Sequence, residues 1–219
     1  DASGQPFMRE LWQQCAETGL LGMTVPEEAG GLSLGMTELM AVLEQQGRAL
    51  ALVPLWEQQL ALATLARFGD SSAHPDIIAA ALRGERLVTL SLAGLVAPQA
   101  RLQVTQDGAA LRLDGCVPAV PLGAEADYAL LAAERDGTPC VVLVDLSNPA
   151  IMRAAGVSQH HQSIADLNFE RVRVDASACF ARDALRWLEP RAIACLAALQ
   201  VGVSARQLER TVEYISERR

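Results

Sequence analysis

The feature that most constrains this chain is a change of hydrophobic period at Glu85. Before it, apolar residues recur at helical spacing. After it they alternate, and from about Asp183 the helical spacing returns. The order is therefore helices, then strands, then a helix. In the first part Phe7, Leu11, Cys15 and Leu20 or Leu21 share one helical face, with Arg9, Glu10, Gln13, Gln14 and Glu17 between them. Gly19 stands where a C-terminal cap is expected. The stretch VPEEAGGLSLG, Val25 to Gly35, is too rich in Pro and Gly for a regular element. Thr37 is the expected N-cap of a helix carrying Leu39, Met40, Leu43 and Gly47. Another apolar helix runs from Pro54 to about Phe68 and is broken by Gly69-Asp70-Ser71-Ser72. Pro75 opens the next helix, which ends near Gly84.

Between Leu87 and Val174 the chain reads as short strands: Leu87 to Leu92, Arg101 to Thr105, Ala110 to Val117, Asp127 to Ala133, Cys140 to Val144 and Leu167 to Val174. Asp136-Gly137 reads as a hairpin turn. The pattern suggests a small antiparallel barrel or sandwich. Beyond it Ile193, Leu196, Leu199, Val203, Leu208, Val212 and Ile215 make one apolar helical face that needs partners. The fold class is α+β and multidomain, with an N-terminal helical domain over 1–86, a middle β domain over 87–182 and the first helix of a C-terminal helical bundle over 183–219.

Composition narrows the partners. The formal charge is −8, and all eighteen basic residues are Arg, in no block of like charge. Nucleic acid is an unsuitable partner. A phosphorylated ligand is not excluded, because a few placed Arg residues suffice locally. Five widely spaced cysteines with no C-x-x-C pair argue against a disulfide framework or a zinc site. They read as small buried hydrophobes in a reducing cytoplasm. No signal-like segment opens the chain, and no apolar run reaches the roughly 20 residues of a spanning helix. The expectation is a cytoplasmic protein with no membrane partner. His160 and His161 sit in a polar loop with Gln159 and Gln162 and make no metal site by themselves. Arg48 reads as a structural ion pair or carbonyl cap.

Several strings, in this order, resemble the acyl-CoA dehydrogenase family. GLLGMTVPEEAGGLSLGMTELMAVLEQQGRAL at 19–50 matches its helix, Gly-x-x-Gly turn, Val-Pro-Glu-Glu-x-Gly-Gly loop and Glu-x-x-Gly-Arg helix end, which reads Glu27 and Glu28 as loop residues. GERLVTLSL at 84–92 is similar to the entry into the middle domain, LRLDG at 111–115 to a hairpin ending in Asn-Gly, and FERVRVD at 169–175 to the exit strand. TVEYISERR at 211–219 is similar to a helix of the C-terminal bundle. The resemblance implies FAD as cofactor, an acyl-CoA thioester as substrate, α,β-desaturation with hydride transfer to the flavin, and a homo- or hetero-oligomer. It implies a preceding helical segment, and a following bundle whose Glu, C-terminal to Arg219, is the catalytic base. No catalytic residue is assigned within the chain.

The same resemblance places the flavin-contacting positions at Leu92, Ala93, Ala119, Pro121 and Arg218. Here the chain departs from the family. Ala93-Gly94-Leu95 stands where Thr-Glu-Pro leads to Gly-Ser-Asp, Ala119 where a Trp packs on the isoalloxazine, and Pro121 where a Thr presents its hydroxyl and amide. Arg218 matches an Arg that reaches the FAD phosphates. The stretch from Ala93 to Asp114 is also shorter than usual, which predicts either a deleted substrate loop or a break in the chain. Two main functions follow. One is a flavin-dependent acyl-CoA dehydrogenase. The other is a flavin-poor, non-catalytic partner subunit of a hetero-oligomeric one. A flavin monooxygenase or nitroalkane-type oxidase on the same fold is a third.

Overall fold

The computed structural model describes residues 6–69, 74–95 and 101–217. Its helices are α1 (Arg9–Glu17), α2 (Met36–Ala49), α3 (Leu55–Phe68), α4 (Pro75–Leu82) and α5 (Arg182–Glu217). Its strands are β1 (Val88–Ser91), β2 (Gln103–Asp107), β3 (Ala110–Pro121), β4 (Tyr128–Arg135), β5 (Thr138–Asp145), β6 (Ile151–Val157), β7 (Ser163–Val174) and the short β8 (Cys179–Phe180). The expected order of helices, sheet and closing helix holds. The segment in which the shortened loop falls includes residues 96–100, which lie outside the described residues.

Local chemistry explains most element ends. Gly19 adopts φ +76° just beyond α1, a left-handed conformation that costs a glycine nothing. The cap of α2 differs from expectation. Gly35 is the N-cap, and Glu38 accepts a hydrogen bond from the Gly35 N–H at 2.9 Å, so Thr37 lies inside the first turn. The Val25–Gly35 loop also contains a short 3₁₀ turn, Glu27–Ala29. Asp136 and Gly137, at φ +51° and +74°, form the two-residue hairpin between β4 and β5.

The sheet is mixed rather than antiparallel. Its order is β6-β7-β3-β2-β4-β5-β8, with β1 also paired to β4. β1 and β2 both run parallel to β4, at Tyr128–Leu131 and at Glu134–Arg135, while β5 takes the other edge antiparallel. The cause is the β2–β3 hairpin inserted between β1 and β4, which lets the chain return in its original direction. β6 and β8 are additions to the predicted strands. β6 exposes every residue except Ile151, so it carries no alternation to read.

Two glycines set how closely α5 lies on α2. A Cβ on Gly47 would meet Leu199 O at 2.2 Å, and one on Gly202 would meet Glu44 O at 1.9 Å. Each helix thus presents bare backbone to a carbonyl of the other. Helix α3 is buried nearly all round, including Glu57, Gln58 and Gln59 in succession. Gln58 donates from Nε2 to Ala81 O at 3.0 Å and accepts from the Val88 N–H at 3.0 Å, tying α3 to α4 and β1. Gln59 donates to Leu20 O and accepts from Thr24 at 3.1 Å. Buried amides of this kind are stabilising only when both ends are paired.

Candidate functional site

A cavity of about 640 Å³ lies where the helices meet the sheet. Its wall is formed by the end of α2 (Gln46, Gly47, Leu50), the start of α3 (Trp56, Glu57), Pro121 at the end of β3, the β6–β7 turn (His160, His161, Gln162) and α5 (Leu196, Leu199, Val203). The volume and the largely apolar wall suit a small organic ligand. A second hollow of about 700 Å³ adjoins it along α2 and α5 and includes Arg48, Arg206, Arg210 and Tyr214. Arg48 donates to Glu209 at 2.6 Å, the structural ion pair that the sequence suggests.

The positions singled out by sequence divide here. Pro121 is in the cavity wall, and its carbonyl accepts a hydrogen bond from Thr89 Oγ1 at 2.6 Å. Ala119 lies two residues back at an irregularity between Val117 and Val120, with φ +49°. Its N–H donates to Asp166 Oδ1 at 2.8 Å. Leu92 and Ala93 follow β1, where a short 3₁₀ turn packs against β3 and β4. The Ala93 N–H faces Ser91 Oγ at 3.4 Å. Leu92, Ala93 and Ala119 lie outside the cavity wall, and Arg218 lies outside the described residues.

These residues do not fit an isoalloxazine ring as the family's motif would. Pro121 has no N–H, the Ala93 and Ala119 amides already have acceptors, and none of the four side chains is polar. His160 and His161 lie in a tight turn held by Ser158, whose Oγ accepts from the His160 and Gln162 amides. No cluster of His, Cys, Asp or Glu among the described residues could hold a metal ion. No helix among them is long and apolar enough to cross a membrane.

Sequence reasoning missed the most unusual group at the site. Glu57 is only 3% exposed. Burial pushes its carboxyl up to about 8, against smaller opposing hydrogen bonds from its own backbone and the Gln162 side chain. Its Oε2 has no hydrogen-bond partner. The available signal was the composition of α3, where Glu57 stands in a helix with no polar face to send it outward. The five cysteines are free. Cys140 and Cys179 lie on the paired strands β5 and β8, and the neighbouring Cys140 S–H, with Arg135, lowers the Cys179 thiol below its ordinary value.

Comparison with known proteins supplies the context. Residues 1–85 match the family model for the acyl-CoA dehydrogenase N-terminal domain. The whole chain is 33% identical to acyl-CoA dehydrogenase FadE27 of Mycobacterium tuberculosis, of which it spans 59%. The Tcur3481-Tcur3483 steroid ACAD G363A variant superposes with a TM-score of 0.88 at 30% identity, over 97% of this chain and 59% of that one. The ChsE4-ChsE5 complex of Mycobacterium tuberculosis superposes with a TM-score of 0.88 at 32% identity, over 98% and 59%. The chain thus spans about three fifths of the length of these relatives. The chain is similar to acyl-CoA dehydrogenases over its whole length, and its first 85 residues match that family's N-terminal domain.

Proposed function

We propose that this chain is a flavin-poor subunit of a hetero-oligomeric acyl-CoA dehydrogenase. In it the chain shapes the acyl-binding cavity, while catalysis on the acyl-CoA thioester is completed by other protein. The observation that carries this is the region from Ala119 to Pro121. An amide already bonded to Asp166 and a proline without an N–H replace the donors a flavin would use. Two features support the assembly. The solved structures with a TM-score of 0.88 are each named for two components. Helix α5 also leaves Ile193, Leu208, Val212 and Ile215 exposed along its length, an apolar face of the kind that more protein covers, from a longer chain or from a partner. One of those neighbours is named a steroid ACAD, which makes bulky acyl groups the first to try.

The second reading, a flavin-dependent enzyme that desaturates an acyl-CoA by itself, is favoured by similarity across the whole chain. It requires FAD held firmly by these residues. The test is an FAD titration of the purified protein and its Pro121→Thr variant. Restoring one N–H and one hydroxyl should tighten binding about tenfold, the worth of one recovered hydrogen bond. Tight binding by the unaltered protein, with no gain in the variant, would exclude the flavin-poor reading.

A further inference from the structure

The hollow beside the apolar cavity is unusual in its charge. Acidic residues outnumber basic ones in the chain, 26 to 18. Yet three of the ten described residues in this wall are Arg, and none is Asp or Glu. Helical spacing is the cause. Arg206 and Arg210 stand one turn apart on α5, so both line the hollow, with Arg48 opposite them at the end of α2. Glu209 and Glu213 pair with Arg48 and Arg206 from outside the wall. Among the described residues Arg210 has no carboxylate partner. Three guanidiniums against two carboxylates leave one positive charge uncompensated. That charge is reachable, because the neighbouring Arg48 and Arg206 side chains are 30% and 47% exposed. The hollow shares Gly47, Leu50 and Val203 with the apolar cavity, so the two meet at the crossing of α2 and α5. One open groove therefore runs from Trp56, Leu196 and Leu199 to a basic end.

We propose that this basic end holds a carboxylate carried at the far end of an apolar acyl group, with Arg210 as the specificity-determining residue. The inference rests on reading the apolar cavity as the acyl site. A guanidinium that already holds a carboxylate gives little to a second one. Arg210 therefore supplies the open fork, and Arg206, one turn away, adds a second positive charge. The length of the groove fits. Leu196 and Arg206 are ten residues apart on one helix, about 15 Å at the helical rise, which a medium-length saturated acyl group spans. A purely hydrocarbon end would strip water from the guanidiniums and offer them no acceptor, so the groove selects against it.

The experiment uses a matched pair of probes, the mono-thioester of decanedioic acid with N-acetylcysteamine and the methyl ester of that compound, which differ by COO⁻ against COOCH₃. Binding of each to the unaltered protein, Arg210→Gln and Arg210→Lys is measured by calorimetry, with thermal unfolding as the check on folding. Arg210 has no ion pair to lose, so both variants should melt with the parent. The acid should bind about fivefold tighter than its ester at low salt, the worth of a half-exposed ion pair, and added salt should narrow the gap. Arg210→Gln should bring the acid to the ester's affinity and leave the ester unchanged, while Arg210→Lys keeps part of the difference. Equal binding of acid and ester by the unaltered protein would overturn the proposal and leave the acyl reading intact. So would an advantage of the acid that survives Arg210→Gln. Displacement of the acid by coenzyme A itself, dependent on Arg210, would assign this end to the carrier's phosphates and overturn the carboxylate. If neither thioester binds, free decanedioate decides. Binding that Arg210→Gln removes keeps the basic end and sinks the acyl reading, and no binding overturns both.

Discussion

The crossing of α2 and α5 gives a sharp mechanical test through Gly202→Ala. Added to the backbone, the methyl would sit 1.9 Å from Glu44 O and 2.9 Å from Arg48 N. Neither neighbour is a side chain that can rotate aside. Ordinary contact requires the α2 backbone to retreat by about 1 Å or more, and the reciprocal contact of Gly47 with Leu199 O resists sliding. Overpacking of this kind costs about 1–3 kcal/mol. Better helix propensity of Ala offsets about 1 kcal/mol of that. The clash is with backbone, which places the gross cost at the upper end and the net loss near 2 kcal/mol. For a protein of this size that is a fall in Tm of about 4–8 °C. Thermal unfolding by circular dichroism, paired with denaturant titration, reads it. Gly156→Ala is the control, since its methyl would meet only Ile164 Cγ1 at 3.8 Å. A Gly202→Ala variant as stable as the parent would refute the close crossing and with it the geometry of the cavity wall.

Three further outcomes are expected. Gln58→Leu should destabilise by about 1–3 kcal/mol in urea titration, because it leaves the Val88 N–H buried and unpaired, whereas Ala81 O keeps its bond from the Gly84 N–H. Glu57 should make stability depend on pH. Its folded pKa of about 8 lies above the ordinary 4.5, so the folded state keeps a proton that the unfolded state releases, and stability falls as pH rises from about 4.5 to about 8. Glu57→Gln should remove that slope, and identical pH profiles would contradict the buried acid. The chain of 219 residues taken by itself should sediment as an assembly larger than one chain, because α5 exposes Ile193, Leu208 and Ile215, a face that more protein covers, from a longer chain or from a partner; a monodisperse monomer of that length at micromolar concentration would contradict it.

How much was legible in the sequence follows from what each residue signals locally. Pro75, Gly19 and Asp136-Gly137 act through their own backbone limits and mark their positions directly. Alternation in β3 and β7 and apolar runs in β4 and β5 reflect one-sided or two-sided burial. β6 was not legible because its side chains face outward and only its backbone pairs with β7. The parallel pairing of β4 depends on where the β2–β3 hairpin sits, a property of topology that period cannot reveal.

At the site, the resemblance singled out Pro121, which lines the cavity, but also Leu92, Ala93 and Ala119, which do not. Glu57 went unnoticed because a lone acid beside two Gln residues reads as a solvated turn of helix. Only packing from α5 and the β6–β7 turn makes it an interior group. The Gly47–Gly202 contact joins residues far apart in the chain, and each glycine alone looks like a mild helix defect.

The most direct measurement of the central claim is the visible spectrum of the protein purified without added cofactor and dialysed extensively. The flavin-poor reading expects well under one FAD per chain. It also expects absorbance to return when a second, flavin-competent subunit is co-purified with the protein. One FAD per chain, surviving dialysis in the protein alone, would contradict that reading and make this chain the flavin-holding subunit.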